Sequence, residues 1–248
     1  MNLFTMEISS TLLLILMIIF IGSLIRSAMG FGEAVVGMPL LALIIDVKSA
    51  TPIIALTAST LALFMLISYW NKVNIRESIS FILSTIIGLP IGLYYLKNTP
   101  DSFIKLVLGI LLIGFGIYNL TVKNLPYLRN DRYSFYFGFF AGILGGAYNT
   151  NGPPTVIYGV LRRWKRENFR ATLQGIFFPT GILINIGHGI SGLWTDFVIS
   201  SYLLALPVII VALLIGSYLN SKLNEELFKK IIYCFIILIG FILIINSI

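Results

Sequence analysis

The chain has 248 residues, of which 58% are hydrophobic and only 11% are charged, and its formal net charge is +7. A soluble domain has roughly 25% charged residues, and one of this size has too little interior to bury so much apolar surface. The composition therefore excludes an ordinary soluble fold and indicates helices that cross a lipid bilayer. We attribute the positive charge to cytoplasmic loops and expect no nucleic-acid partner.

Ten apolar segments follow one another, separated by short polar breaks. We expect them at residues 8–25, 28–46, 51–70, 79–96, 103–121, 133–146, 148–161, 171–190, 197–219 and 228–247. No Lys or Arg precedes the first segment, whereas a cleaved signal peptide has a positive N-terminal region. We therefore expect the first segment to be a retained membrane helix.

The segments form two similar halves. Three motifs recur in the same order, at offsets of 115, 121 and 124 residues: Gly30, Gly37 and Pro39 with Gly145, Gly152 and Pro154; Ala50-Thr51 with Ala171-Thr172; and Gly92, Phe103 and Lys105 with Gly216, Leu227 and Lys229. We predict a first repeat over residues 1–122 and a second over 123–248, joined by a loop near 122–132. The predicted fold is an all-α polytopic membrane protein with about eight to ten membrane segments. An odd number of segments per copy makes this an inverted repeat of two five-segment units, a common carrier design.

Loop charges predict the orientation. Loops after odd-numbered segments carry thirteen basic residues, namely Lys72, Arg76, Lys123, Arg129, Arg132, Arg162, Arg163, Lys165, Arg166, Arg170, Lys222, Lys229 and Lys230. Loops after even-numbered segments carry three, Lys48, Lys97 and Lys105. Basic loops stay in the cytoplasm, so we expect a multi-pass protein of the plasma membrane with both termini outside. The run at 162–170 is interpreted mainly as a determinant of this topology.

Two equivalent places interrupt the membrane pattern, at residues 26–33 and 145–154. Glycines and paired prolines there break helices, and broken backbone at membrane depth occurs only inside protein or beside a water-filled cavity. The return stretches 31–45 and 147–161 have fifteen residues each, about 22 Å as helix, which is short of a core about 30 Å thick. We expect a broken hairpin pair in each half, entering from opposite sides, with tips that meet near the midplane.

Polar groups at these breaks are the candidate site. Arg26 is expected to attract an anion, and Glu33 to pair with Arg26 or to carry a coupled proton; the alternative is a structural ion pair, or an Arg26 that reaches the cytoplasmic surface. Backbone N–H groups at a helix start bind anions, which makes Gly30, Gly32 and Gly152 candidates. Tyr148, Asn149, Thr150 and Asn151 add donors that contact substrate or satisfy broken backbone.

The eighth segment carries a polar stripe. Gly181, Asn185 and His188 fall within about 40° of Gln174 around a helix, and Pro179 should kink it. Gln174 is a candidate substrate contact. His188, the single histidine, is interpreted either as a hydrogen-bonded structural group or as a proton carrier.

The chain resembles the sulfite exporter TauE/SafE family of membrane transporters over nearly its whole length. The resemblance rests on RSAMGFGEAVVGMPLL at 26–41 and GGAYNTNGPP at 145–154, with RATLQ at 170–174 and GHG at 187–189. Many members of that family have a small residue where this chain has Glu33. The resemblance implies a secondary transporter, an exporter of sulfite, an organosulfonate or a similar small anion.

We therefore expect alternating access around a midplane anion site, with proton coupling through Glu33 or His188. The alternative is a small-anion channel.

An intramembrane enzyme is disfavoured because the sequence has no His-Glu-x-x-His, no paired Asp and one histidine, so we expect no catalytic residue, metal or cofactor. The sequence has no Walker loop, so we do not expect ATP to drive transport. A sensor or scaffold is disfavoured because no soluble output domain is evident. The expected partners are the anion and the bilayer, and a homo-oligomer is compatible with the pattern.

Overall fold

A computed structural model describes residues 10–122, 127–220 and 225–247, without the side chains of residues 166, 167, 225, 228 and 229. Within these ranges the chain is all-helical, with no β-strand. The helices are α1 (Ser10–Met29), α2 (Glu33–Ala42), α3 (Val47–Tyr69), α4 (Ile75–Asn98), α5 (Asp101–Thr121), α6 (Tyr133–Tyr148), α7 (Gly152–Leu161), α8 (Arg166–Ile190), α9 (Asp196–Asn220) and α10 (Glu225–Ile245). A 3₁₀ turn, Trp70–Lys72, follows α3. The start of the first predicted segment, residues 123–126 of the joining loop, and the basic side chains of Lys123, Arg166, Lys222 and Lys229 lie outside the described residues.

The prediction of an all-α polytopic membrane protein is confirmed. Each predicted apolar segment coincides with one helix. In the part of the chain that the structure describes, six helices, α1, α3, α4, α5, α8 and α9, are long and apolar enough to cross a bilayer. Helices α2 and α7 have ten residues each, which is about 15 Å and half of a hydrocarbon core. The return helices are thus shorter than the fifteen residues expected from the sequence.

The closest helix pair is α4 with α6, and small residues make it possible. Both helices carry a small residue at every fourth position of the shared face: Ser84, Gly88 and Gly92 on α4, and Gly138, Gly142 and Gly146 on α6. A Cβ added at Gly142 would lie 2.3 Å from the carbonyl oxygen of Thr85, and one at Gly92 would lie 2.1 Å from that of Ile143. Stripes of this kind let membrane helices approach to backbone contact.

Helix packing follows a pattern that exchanges the two halves. If each helix of α1–α5 is exchanged with its counterpart in α6–α10, α4 is replaced by α9 and α6 by α1. The contact of α4 with α6 therefore corresponds to the contact of α9 with α1, and both contacts are extensive. The contacts of α3 with α8 and of α5 with α10 map onto themselves. This pattern is the one that an inverted repeat produces, and the repeat with its boundary at 122/123 stays a prediction.

The helix bounds give a different offset between the two breaks from the one that the sequence motif gives. Helices α2 and α7 begin 119 residues apart, and so do α3 and α8. The sequence motif pairs Gly30 with Gly145 at an offset of 115 residues, whereas the bounds pair Gly30 with Asn149. The difference is four residues, about one helical turn.

A matched pair of glycine substitutions tests the α4–α6 contact. Gly142→Ala should lower the unfolding temperature in detergent by several degrees, because overpacking costs about 1–3 kcal/mol. Gly114→Ala on α5 is the control, since a Cβ there has no atom within 4 Å and alanine favours helix by roughly 0.5–1 kcal/mol. Equal effects of the two substitutions would contradict the close contact.

Candidate functional site

The first break is a glycine turn between α1 and α2. Gly30 has a φ of 90° and Gly32 a φ of 107°, values that an L side chain rarely adopts. The N–H of Gly30 still donates to the carbonyl oxygen of Arg26, over 2.6 Å. The chain therefore reverses within three residues, and the first turn of α2 starts deep inside the protein.

The second break uses asparagine and proline for the same purpose. Asn149 ends α6 with a φ of 53°, a conformation that Asn tolerates better than most residues. Pro153 and Pro154 occupy the first turn of α7, where a missing N–H costs no intrahelical hydrogen bond. Both breaks thus start a short helix inside the protein.

The two breaks meet at one cavity of about 30 Å³, which is room for at least one water molecule. Arg26, Gly32 and Glu33 line it from the first break, and Asn149, Asn151 and Gly152 line it from the second. The remaining wall includes Ala58 and Ser59, the twelfth and thirteenth residues of the 23 in α3. Phe177 and Gly181, from the middle of α8, complete the wall. The cavity therefore lies halfway along the two longest crossing helices that surround it.

Arg26 is the positive group of the cavity, and its side chain is 6% exposed. Its Nη1 donates to Oε2 of Glu33 over 3.1 Å and to the carbonyl oxygen of Ala58 over 3.0 Å, and its Nη2 donates to Oε1 of Gln174 over 2.9 Å. The guanidinium also stacks over the ring of Phe177, 5.1 Å from the centroid. Among the described residues its Nε has no acceptor. Arg26 is therefore held in place from three helices, and the N–H of its Nε is left for another group.

Glu33 balances this charge, and its side chain is 1% exposed. Its second oxygen, Oε1, lies 3.5 Å from the hydroxyl of Ser23, which donates to it. In the low dielectric of a membrane interior, an isolated charge costs several kcal/mol or more. The paired charges make the site neutral as it stands, so an arriving anion would change its net charge.

Two predicted residues stand behind Arg26 rather than in the cavity wall. Gln174 accepts from Arg26 and donates through Nε2 to the carbonyl oxygen of Gly30, over 2.7 Å. One amide side chain therefore fixes both the guanidinium and the backbone of the first break. Gln174 and Gly30 are placed to position the site.

Two other predicted residues lie away from it. The hydroxyl of Tyr148 donates to the hydroxyl of Tyr95 and to the carbonyl oxygen of Ile104, both over 3.2 Å. His188 lies on α8 with Nε2 3.4 Å from the carbonyl oxygen of Gly146, and neither residue lines the cavity. Helical periodicity placed His188 on the same face as Gln174, but the two are about four turns apart along α8.

Sequence reasoning missed Ser59 and Phe177. Ser59 lines the cavity, donates to the carbonyl oxygen of Ala55 over 2.7 Å and accepts from Nδ2 of Asn185 over 2.8 Å. The offset of 121 residues offered a signal, because it pairs Ser59 with Thr180, whose hydroxyl accepts from Nδ2 of Asn151 over 3.0 Å. Phe177 carried no signal, since nothing distinguishes it from the other phenylalanines of apolar segments.

Comparison with known proteins agrees with this architecture. The profile of the sulfite exporter TauE/SafE family matches residues 14–243. The chain belongs to the sulfite exporter TauE/SafE family. It is similar to a protein of Cupriavidus necator described as a probable sulfite/organosulfonate exporter TauE, with 23% identity over 228 residues and 88% coverage of both chains. No solved structure matches the chain.

Family membership confirms the resemblance seen in the sequence, and it identifies a multi-pass membrane protein of a transporter family. Membership of a transporter family implies that the chain is not an enzyme. Both TauE/SafE-like stretches, at 26–41 and 145–154, contribute walls to the central cavity. The cavity is therefore built from the segments that carry the family resemblance.

A double-mutant cycle tests the pairing of Arg26 with Glu33. Arg26→Met or Glu33→Met alone leaves one buried charge without its partner, which costs about 3–5 kcal/mol. The double variant should be more stable than either single variant, because it removes both charges. The free energy of unfolding measured by titration with a denaturing detergent provides the test. Additive losses would contradict the coupling.

Proposed function

We propose that the chain is a secondary transporter that exports a small sulfur-containing anion, such as sulfite or an organosulfonate. Family membership and the name of the Cupriavidus necator relative support the substrate class. The observation that carries the proposal is the buried Arg26, with an N–H group left over, in a cavity that both breaks line. The first turn of α2 also faces this cavity, and first-turn N–H groups have no intrahelical acceptor and attract anions.

Glu33 couples the anion to a proton in this proposal. An anion that binds Arg26 competes with the Glu33 carboxylate for the guanidinium. The site would then hold a net negative charge in a low dielectric. Protonation of Glu33 restores neutrality and frees Nη1 of Arg26 for the anion. A proton and a monovalent anion then travel together, and accumulation of the anion in the cytoplasm drives export. His188 is a less suitable proton carrier because it does not line the cavity.

Alternating access around the cavity is the transport cycle that we propose. The two breaks come from opposite halves of the chain, so a rocking motion of one half against the other changes which side reaches the cavity. The small volume of the cavity, about 30 Å³, supports a carrier over a small-anion channel, because a channel needs a continuous hydrated path. Saturable flux with counterflow is the signature expected of the carrier.

Efflux from proteoliposomes loaded with sulfite tests the function and the coupling together. Wild-type protein should release sulfite faster when the lumen is acidified, because protonated Glu33 favours anion binding. Glu33→Gln should lose this dependence on lumenal pH, whereas His188→Gln should keep it. Absence of sulfite and organosulfonate flux under every imposed gradient would contradict the function. Loss of the pH dependence in His188→Gln but not in Glu33→Gln would contradict the coupling.

Binding is tested separately by thermal shift in detergent. Asn151 lines the cavity, so Asn151→Ala should abolish most of the stabilisation that sulfite gives. Tyr148→Phe is the control, because its hydroxyl faces Tyr95 and Ile104 rather than the cavity, and it should retain the full shift. An equal loss in both variants would contradict the site.

We further propose that the protein lies in the plasma membrane with both termini outside. Lys48 donates to the carbonyl oxygen of Lys97, and Asp101 accepts from the N–H of Val47, at the end that we assign to the outside. At the other end of α4, Glu77 pairs with Arg162, whose pKa this hydrogen bond raises. Arg162 also reaches Asp131, and it belongs to the basic loops that we assign to the cytoplasm.

Cysteine labelling at the two ends of α4 tests the orientation, in a Cys234→Ser background. A membrane-impermeant maleimide should label Asn98→Cys in intact cells and Arg76→Cys only after permeabilisation, since both positions are exposed. The reverse pattern would contradict the proposed topology.

A further inference from the structure

An apolar groove opens beside the central cavity, between α5 on one side and α6 with α7 on the other. Its volume is about 530 Å³, within the range of about 300–1,000 Å³ typical of small-molecule sites. Its lining includes Leu111, Phe115, Phe137, Phe140, Pro154 and Ile157. Aliphatic and aromatic side chains dominate it, so its occupant must be apolar.

The architecture does not require this opening. Exchanging the two halves of the chain maps the α5–α7 interface onto the interface of α10 with α2, and α10 packs against α2. The groove is therefore a departure from the exchange pattern. Gly114 widens it, because this groove residue has open space where a side chain would stand.

The groove and the cavity share a wall. Val35 lines both spaces. Thr150 lines the groove, while its neighbours Asn149 and Asn151 line the cavity. The charged cavity and the apolar groove are thus separated by about one layer of side chains at the second break.

We propose that this groove binds the apolar tail of an alkyl- or arylsulfonate whose sulfonate group occupies the central cavity. The inference rests on the proposed function and narrows its substrate class to amphiphilic sulfonates. Charge complementarity supports it, because the anionic end meets Arg26 and the apolar end meets the aromatic lining. The tail passes beside Val35, so the side chains of Val35 and Thr150 must move apart to admit it.

Affinity for a homologous series of sulfonates tests the proposal. Methane-, propane- and hexanesulfonate are titrated against purified protein below their micelle concentrations, with methanesulfonate as the reference within each variant. Wild-type affinity should rise about two- to fourfold per methylene, as expected for burial of apolar groups. Gly114→Trp fills the groove and should bring the hexane-to-methane affinity ratio close to one.

Ile117→Trp is the matched control. It adds the same side chain to α5 at an exposed position outside the groove, and it should keep the wild-type ratio. A ratio near one in the wild type, with sulfite still bound, overturns the tail site and leaves the proposed function intact. A steep ratio that Gly114→Trp leaves unchanged also overturns it, because the tail then binds elsewhere.

Native mass spectrometry separates a substrate tail from a bilayer lipid. Hexanesulfonate should displace a phospholipid that copurifies with the wild type but not with Gly114→Trp. Retention of that lipid at saturating hexanesulfonate would make the groove a lipid site and overturn the proposal. Failure of every sulfonate and of sulfite to bind would instead count against the proposed function itself.

Discussion

The cost of an unsatisfied polar group in hydrocarbon is the constraint on which this structure depends. Each exposed backbone group at membrane depth costs several kcal/mol, yet the chain breaks two helices there and adds a buried arginine. The breaks are tolerated because each is enclosed by other helices, and Gln174 binds both Arg26 and the carbonyl oxygen of Gly30. The polar centre is thus assembled from residues that satisfy one another, and its donors converge on one cavity.

Tight helix packing elsewhere in the protein holds this polar centre in place. The small-residue stripes of α4 and α6 bring the two backbones into contact, which fixes α6 and hence the position of the second break at its C-terminal end. The corresponding contact of α1 with α9 holds the first break, where a Cβ at Gly216 would lie 2.5 Å from that of Ser27. Rigid outer pairs therefore surround a polar core whose charge balance rests on Arg26 and Glu33. That balance links the architecture to the proton-coupled anion movement that we propose.

Sequence reasoning predicted the helices well and the site in part. Apolar length located all ten segments, and the glycine and proline breaks identified six residues that line the cavity, from Arg26 to Gly152. It could not tell that Tyr148 points to Tyr95, because the direction of a side chain at a helix end depends on tertiary packing. It grouped His188 with Gln174 because periodicity gives the face of a helix and not the depth along it. It aligned the two breaks one helical turn out of register, because Gly145, Gly152 and Pro154 match Gly30, Gly37 and Pro39 at an offset of 115 residues, whereas α2 and α7 begin 119 residues apart.

The most direct test of the central claim is a crystal structure with bound selenite, whose selenium replaces the sulfur of sulfite and scatters anomalously. An anomalous peak is expected inside the central cavity, with selenite oxygens within hydrogen-bond distance of the Arg26 guanidinium and of backbone N–H groups at the start of α2. Glu33 should have turned away from Arg26. A peak confined to the basic loops, or an Arg26–Glu33 pair left intact beside an empty cavity, would show that the anion does not bind at the two breaks.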